Sequence, residues 1–246
     1  MEGKIDISLK ADKLFSFFGF NITNTLFTSV IFSVILFLIV YFAVRKFNLR
    51  PTKFQLVLEF LIMGGYKFSL EALGDEKITK KIYPILATFF IMILSFNLMK
   101  FIPGIESIKF GGHHLFKSVH SDLNMTLALS VVAWIMVQFL GVFILGIWKY
   151  GGKFIQIVLI KGWIPMINPI GLLELISEVA KMISLALRLF INILVGGVLI
   201  ILLQNVSHYF VPTIGMLFEV FVAFLQAGVF ALLTLFYIKL AISESH

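Results

Sequence analysis

The chain contains no cysteine, which excludes disulfides, thiolate metal ligands and cysteine nucleophiles and leaves the redox compartment open. Charge is scarce as well: 13% of the 246 residues are charged, against 60% hydrophobic. A soluble chain of this length cannot hide so much apolar surface in one core, so the solvent for most of it must be lipid. Internal repeats and low-complexity tracts are missing, and the chain reads as one membrane domain over 1–246. No Gly-x-x-x-x-Gly-Lys loop occurs, so no nucleotide chemistry is expected of this chain, which is read as no enzyme on its own. Without Gly-x-Ser-x-Gly, His-Glu-x-x-His or a membrane-embedded aspartate pair, an intramembrane hydrolase is disfavoured. No cofactor or metal site is expected. The N-terminal apolar run is followed by Arg45 and Lys46 with no small-residue cleavage site, which predicts a retained span.

What is present is long apolar runs. A bilayer core takes roughly 20 apolar residues per helix, and three runs approach that length: Thr25 to Val44, Ile82 to Ile102 and Met125 to Trp148. Two later runs, Glu174 to Asn205 and Val211 to Ile242, have 32 residues each. At 1.5 Å per residue each makes roughly 48 Å of helix, which fits a ~30 Å core only at a tilt near ~50°. Such helices are either broken or strongly oblique. The expected fold is therefore an all-α integral membrane protein with about five spans, the last two forming a long, strongly tilted hairpin. Residues 1–24 precede the first span, 25–148 hold the first three, 149–170 connect, and 171–246 form the hairpin. Lys53 to Leu73 and Gly151 to Ile170 look interfacial, each mixing lysines into an apolar stripe.

Lys and Arg accumulate on the cytoplasmic side of membrane proteins. Arg45 to Lys81 carries eight, Lys149 to Lys161 three, and the C-terminal end Lys239, whereas Lys4, Lys10, Lys13, Lys109 and Lys117 fall opposite. This asymmetry predicts the N-terminus outside and the C-terminus cytoplasmic. The formal charge of +7 is read as loop basicity and not as nucleic-acid binding. Lys100, Lys181 and Arg188 fall within spans.

The chemistry sits in Gly171 to Gly197. There Glu174, Glu178, Lys181, Ser184, Arg188 and Asn192 follow at steps of 4, 3, 3, 4 and 4, on one helical face. Lipid offers a charge no partner, so this face must meet protein or water. Glu178 and Lys181 are equally well read as an i,i+3 pair at the interface. Arg188 lies roughly 21 Å along the helix from Glu174 and costs ~2.5 to 3.5 kcal/mol in hydrocarbon even on the lenient scale. The last run supplies Glu219 and Gln226, seven residues apart on one side. Gly196, Gly197, Ala223, Ala227 and Gly228 are small enough for close helix packing. With the predicted orientation, Glu174 and Glu178 lie toward the cytoplasm, Arg188 near mid-membrane, and Gly197, Glu219 and Asp122 toward the outside. Carboxylates thus stand on both sides of one fixed cation, as two offset aqueous half-paths require.

The run from Leu173-Glu174 to Lys181-Met182-Ile183-Ser184-Leu185-Ala186-Leu187-Arg188-Leu189-Phe190-Ile191-Asn192 resembles the signature helix of subunit a of F-type ATP synthases, bacterial type. The likeness extends to Asp122-Leu123-Asn124-Met125-Thr126, Leu225-Gln226-Ala227, Phe101-Ile102-Pro103-Gly104 and Ile22-Thr23-Asn24-Thr25, in the expected order. The resemblance implies an ion-translocating stator subunit of the membrane Fo sector. Arg188 would be the essential cation facing the ion-binding carboxylate of the rotating c-ring, with Asn192 and Gln226 beside it. Asp122, Asn124, Glu219 and Gly197 would line the outer path; Glu174, Glu178, Lys181 and Ser184 the cytoplasmic one. The implied partners are the c-ring, the peripheral-stalk b subunits, the other Fo and F1 subunits, and lipid, in the cell (inner) membrane. The family often has a carboxylate where Gly197 stands and a histidine where Glu219 stands. A carboxylate moved to the opposite helix would explain both, provided that Gly197 and Glu219 face each other. Met182 and Ile191 replace a common proline and glycine.

A secondary transporter or channel that binds an anion at Arg188 is the alternative, and it should show paired repeats and broken midplane helices. His113, His114 and His120 cluster in the outer loop. They are read as solvated loop residues and not as a metal site, and Glu106 as a loop acid. Whether the carried ion is H⁺ or Na⁺ stays open, as do ring size and direction.

Overall fold

The computed structural model describes residues 12–17, 20–45, 51–102, 104–110, 113–154, 157–160, 164–167, 169–207 and 210–243. Among these, five helices are long and apolar enough to cross a membrane. They are α1 (Asn24–Arg45), α3 (Glu76–Leu98, prolonged by a 3-10 turn at Met99–Phe101), α4 (Leu123–Leu145), α6 (Pro169–Val206) and α7 (Phe210–Ile242). Helix α2 (Lys53–Leu73) has the bounds expected of the first interfacial segment. Its start is fixed by Thr52, whose side chain accepts from the Gln55 N–H, and its end by Gly74 in the left-handed region.

Both long runs are single helices, of 38 residues in α6 and 33 in α7. Neither is interrupted, which removes the broken-helix alternative and leaves the steeply inclined hairpin. The shorter spans differ at their ends. Helix α3 starts at Glu76, well before Ile82, because Asp75 caps it by accepting from Lys77 N (2.7 Å) and Ile78 N (3.2 Å). Lys77, Lys80 and Lys81 therefore belong to its first turns. Helix α4 stops at Leu145 and not at Trp148, because Gly146 turns the chain at φ 84°. Trp148 lies beyond that turn, 91% exposed, on the short helix α5 (Ile147–Phe154).

The stretch read as a second interfacial segment, Gly151 to Ile170, holds the end of α5 and an antiparallel hairpin, β5 (Ile157–Ile160) with β6 (Ile164–Ile167). Lys161 lies outside the described residues. Two further hairpins sit at the other end of the bundle: β1 (Lys13–Phe17) with β2 (Phe20–Thr23), and β3 (Lys109–Phe110) with β4 (His113–His114).

Helix α3 packs on α7, and α4 packs on both α6 and α7, so the hairpin is braced from behind by two spans. Three buried layers run along this bundle. Phe96, Met99 and Val119 lie at the amino-terminal end. Phe89, Ile93, Ala133, Leu185, Leu189, Ala227 and Phe230 form the middle. Ile82, Leu86, Val137, Tyr150, Leu235 and Ile238 lie at the opposite end. Lipid is as apolar as these side chains, so close packing and hydrogen bonds, not the hydrophobic effect, hold the spans together. Gly141 shows the consequence: a Cβ there would lie 2.5 Å from the Tyr150 ring, so glycine is what admits α5 against α4.

Candidate ion path

Arg188 and Asn192 are half-buried, one turn apart on α6. No ion pair or hydrogen bond joins Arg188 to another of the described residues. Its neighbours Leu185 and Leu189 are buried against Ala227 and Phe230 of α7. Gln226, next to Ala227, is buried with Nε2 unpartnered among the described residues. Arg188 and Gln226 therefore stand at one level, beside the middle apolar layer. The stripe expected on α6 is present as one half-buried row of Glu174, Glu178, Lys181, Arg188 and Asn192, with Ser184 exposed.

At the amino-terminal end, Glu219 on α7 is buried and its Oε2 stands 2.5 Å from Lys100 Nζ, at the end of α3. The side chains are 15% (Lys100) and 5% (Glu219) exposed. The expected facing of Gly197 and Glu219 does not occur. Gly196 faces Glu219: a Cβ there would overlap the Glu219 carboxylate and lie 3.2 Å from Lys100 Nζ. A Cβ on Gly197 meets nothing within 4 Å. One residue is 100° of helix rotation, enough to turn Gly197 out of the contact.

Asp122 is buried and fully engaged. Its Oδ1 accepts the Asn124 N–H at 3.0 Å and its Oδ2 the Thr25 hydroxyl at 2.9 Å, so it caps α4 and ties α4 to α1. The Asn124 side chain is exposed.

His120 overturns its reading as a solvated residue. It is 1% exposed, in a 3-10 turn at Val119–Ser121, edge-on to Phe96, with Nδ1 2.7 Å from Asn97 Oδ1. Burial pushes its pKa down to about 4. Its Nε2 and the Asn97 amide nitrogen have no partner among the described residues. His114 is exposed, and the side chains of His113 and Glu106 lie outside the described residues.

At the opposite end, Glu178 and Lys181 form an ion pair at 2.5 Å, yet they are more than an interfacial pair. Gln138 of α4 donates to Glu178 Oε2 at 2.7 Å, and the Tyr150 hydroxyl of α5 donates to Gln138 Oε1. Lys181 Nζ lies 5.4 Å from the Tyr237 ring centroid on α7. Burial, with the charges of Glu178 and Glu174, pushes the Tyr150 phenol up to about 12. Beside the ion pair is a cavity of about 10 Å³ lined by Trp134, Glu178, Lys181, Thr234 and Tyr237, near the least space that holds a water. Trp134 Nε1 is buried there without a partner among the described residues.

Sequence reasoning missed Lys100, His120, Gln138 and Tyr150. Only Lys100 left a signal, as an intraspan lysine with no carboxylate on its own helix face.

A family model described as ATP synthase A chain matches residues 26–239. The chain is 33% identical over 203 residues to ATP synthase subunit a of Mycobacterium bovis, covering 75% of this chain and 78% of that one. It is 33% identical over 206 residues to that of Desulfosudis oleivorans (82% and 80%). It is 34% identical over 194 residues to that of Moorella thermoacetica (79% of each). Spans, polar stripe and extent of the match agree, and the chain belongs to the ATP synthase subunit a family.

Proposed function

We propose that the chain is the proton-translocating stator subunit of an Fo sector, with two offset half-paths separated by Arg188. The observation that carries this reading is the placement of the polar groups. Lys100 and Glu219 gather at one end, Glu178, Lys181, Gln138 and Tyr150 at the other. Between them lie the middle apolar layer and an arginine without a carboxylate partner among the described residues. A continuous pore would dissipate the gradient. Two half-paths hand the proton to a mobile carboxylate, which the resemblance places on the c-ring, and Arg188 favours that carboxylate in its ionised form as it passes.

In this reading Arg188, Asn192 and Gln226 face the ring. Glu219, with Asp122 and Asn124 at the mouth, serves the outer path, and Gly196 replaces Gly197 beside it. Glu174, Glu178, Lys181 and Ser184 serve the cytoplasmic path. The N-terminus lies outside and the C-terminus in the cytoplasm of the cell membrane. The b subunits of the peripheral stalk hold the subunit still. The unbroken α6 and α7 speak against the transporter alternative.

The test is Arg188→Ala in vesicles reconstituted with the whole complex, measuring ATP-driven proton uptake and passive leak. Loss of coupled uptake is expected. Normal coupled uptake would overturn the reading.

A further inference from the structure

Lys100 has no part in the two half-paths as drawn, yet it is the charged group in contact with Glu219. Three elements meet at this point. The 3-10 turn that ends α3 delivers the lysine, α7 delivers the glutamate, and α6 presents Gly196 where any Cβ would crowd both. The ammonium also lies 5.0 Å from the Phe101 ring centroid. A buried carboxylate with its cation removed would be left uncompensated, which is far costlier than the pair itself.

The two oxygens of Glu219 are placed differently. Both are buried and neither makes a hydrogen bond among the described residues, but Oε2 is the one 2.5 Å from the Lys100 charge and Oε1 the one that lies against Gly196. A carboxylate pinned through one oxygen presents the other in a fixed direction, which proton transfer over hydrogen-bond distances requires.

We propose that Lys100 is a positioning residue for the outer half-path: it pins Glu219 through Oε2 and leaves Oε1, beside Gly196, as the oxygen that takes and releases the proton. This rests on the half-path reading and adds to it a residue and an atom. The proton adds to Oε1 and departs from Oε1, and Lys100 is no carrier in the step.

The experiment uses the complete complex in vesicles with Lys100→Met, Lys100→Arg and the double variant Lys100→Met/Glu219→Gln. Two quantities are measured: ATP-driven proton uptake, and modification of Glu219 by a hydrophobic carbodiimide, which adds only to a protonated carboxyl, read by mass spectrometry of this chain. Lys100→Met is expected to lower uptake about tenfold or more and to speed Glu219 modification severalfold. Lys100→Arg, which keeps the charge, should restore slow modification and most of the uptake.

The double variant removes both charges. It should assemble even if Lys100→Met does not, and its uptake should stay low. Equal modification in Lys100→Met and the parent, full uptake in Lys100→Met, or full uptake in an assembled double variant would overturn the proposal. A structural role alone would cost assembly but leave uptake normal in the complexes that form. Failure of the half-path reading is separately visible, as coupled uptake surviving in Arg188→Ala.

Discussion

Gly196 on α6 lies directly against the Glu219 carboxylate of α7, while Gly197, the next residue, points into open space. The two glycines should therefore respond differently to the same added methyl. Gly196→Ala forces the carboxylate or Lys100 to move, an overpacking of about 1 to 3 kcal/mol, and should cut ATP-driven proton uptake about tenfold. Gly197→Ala should leave uptake unchanged. Equal rates for the two variants in vesicles would contradict the observed phase of α6.

The Asp122 carboxylate should prove structural in the first instance. Asp122→Ala removes the cap of α4 and the acceptor of the Thr25 hydroxyl, with an expected loss of about 1 to 3 kcal/mol. Asp122→Asn keeps the cap and should lose less than about 1 kcal/mol. Thermal unfolding of the purified complex in detergent, followed by release of this subunit, ranks them. An Asp122→Asn variant as unstable as Asp122→Ala would exclude the capping account.

Gln138 links Tyr150 to Glu178 across three helices. Gln138→Leu takes this bond from both the Tyr150 hydroxyl and Glu178 Oε2, so its effect and that of Tyr150→Phe should not add. A double-variant cycle should give a coupling of about 0.5 to 3 kcal/mol, measured on the same unfolding transition. Strict additivity would mean that the tyrosine and the amide are not energetically connected.

His120 predicts acid sensitivity in the loop between α3 and α4. Its folded pKa, about 4, lies below the ordinary value near 6.5, so the unfolded chain binds the extra proton first and stability falls as pH drops from about 6.5 toward 4. The loss is on the order of 3 kcal/mol when the window has been crossed. His120→Gln should flatten the pH dependence in that window. An unaltered slope in the variant would place the acid sensitivity elsewhere.

Much of the fold was written in local sequence. Apolar run length placed all five spans, and Thr52 and Gly74 mark the ends of α2 in the residues themselves. Arg188 and its stripe were legible because a charge in an apolar helix is costly wherever it sits. The partnerships were not legible. Lys100 and Glu219 lie far apart in the chain, and nothing in either run states that the end of α3 reaches the first half of α7. The rotation of α6 that selects Gly196 over Gly197 is decided by packing against α7. His120 read as a solvated loop residue because its loop is polar, yet a 3-10 turn tucks it beneath Phe96 and Asn97. Tyr150 reaches Gln138 only because Gly146 turns the chain and Gly141 makes room.

The middle layer of Leu185, Leu189, Ala227 and Phe230 also acts as an insulator. If the two half-paths conduct on either side, as proposed, the transmembrane voltage falls mainly across this layer, worth about 2.3 kcal/mol per elementary charge per 100 mV. In that reading the carboxylate gives up its proton on one side of Arg188 and regains one on the other, so membrane potential and concentration difference would act at the same layer and drive rotation as interchangeable forces.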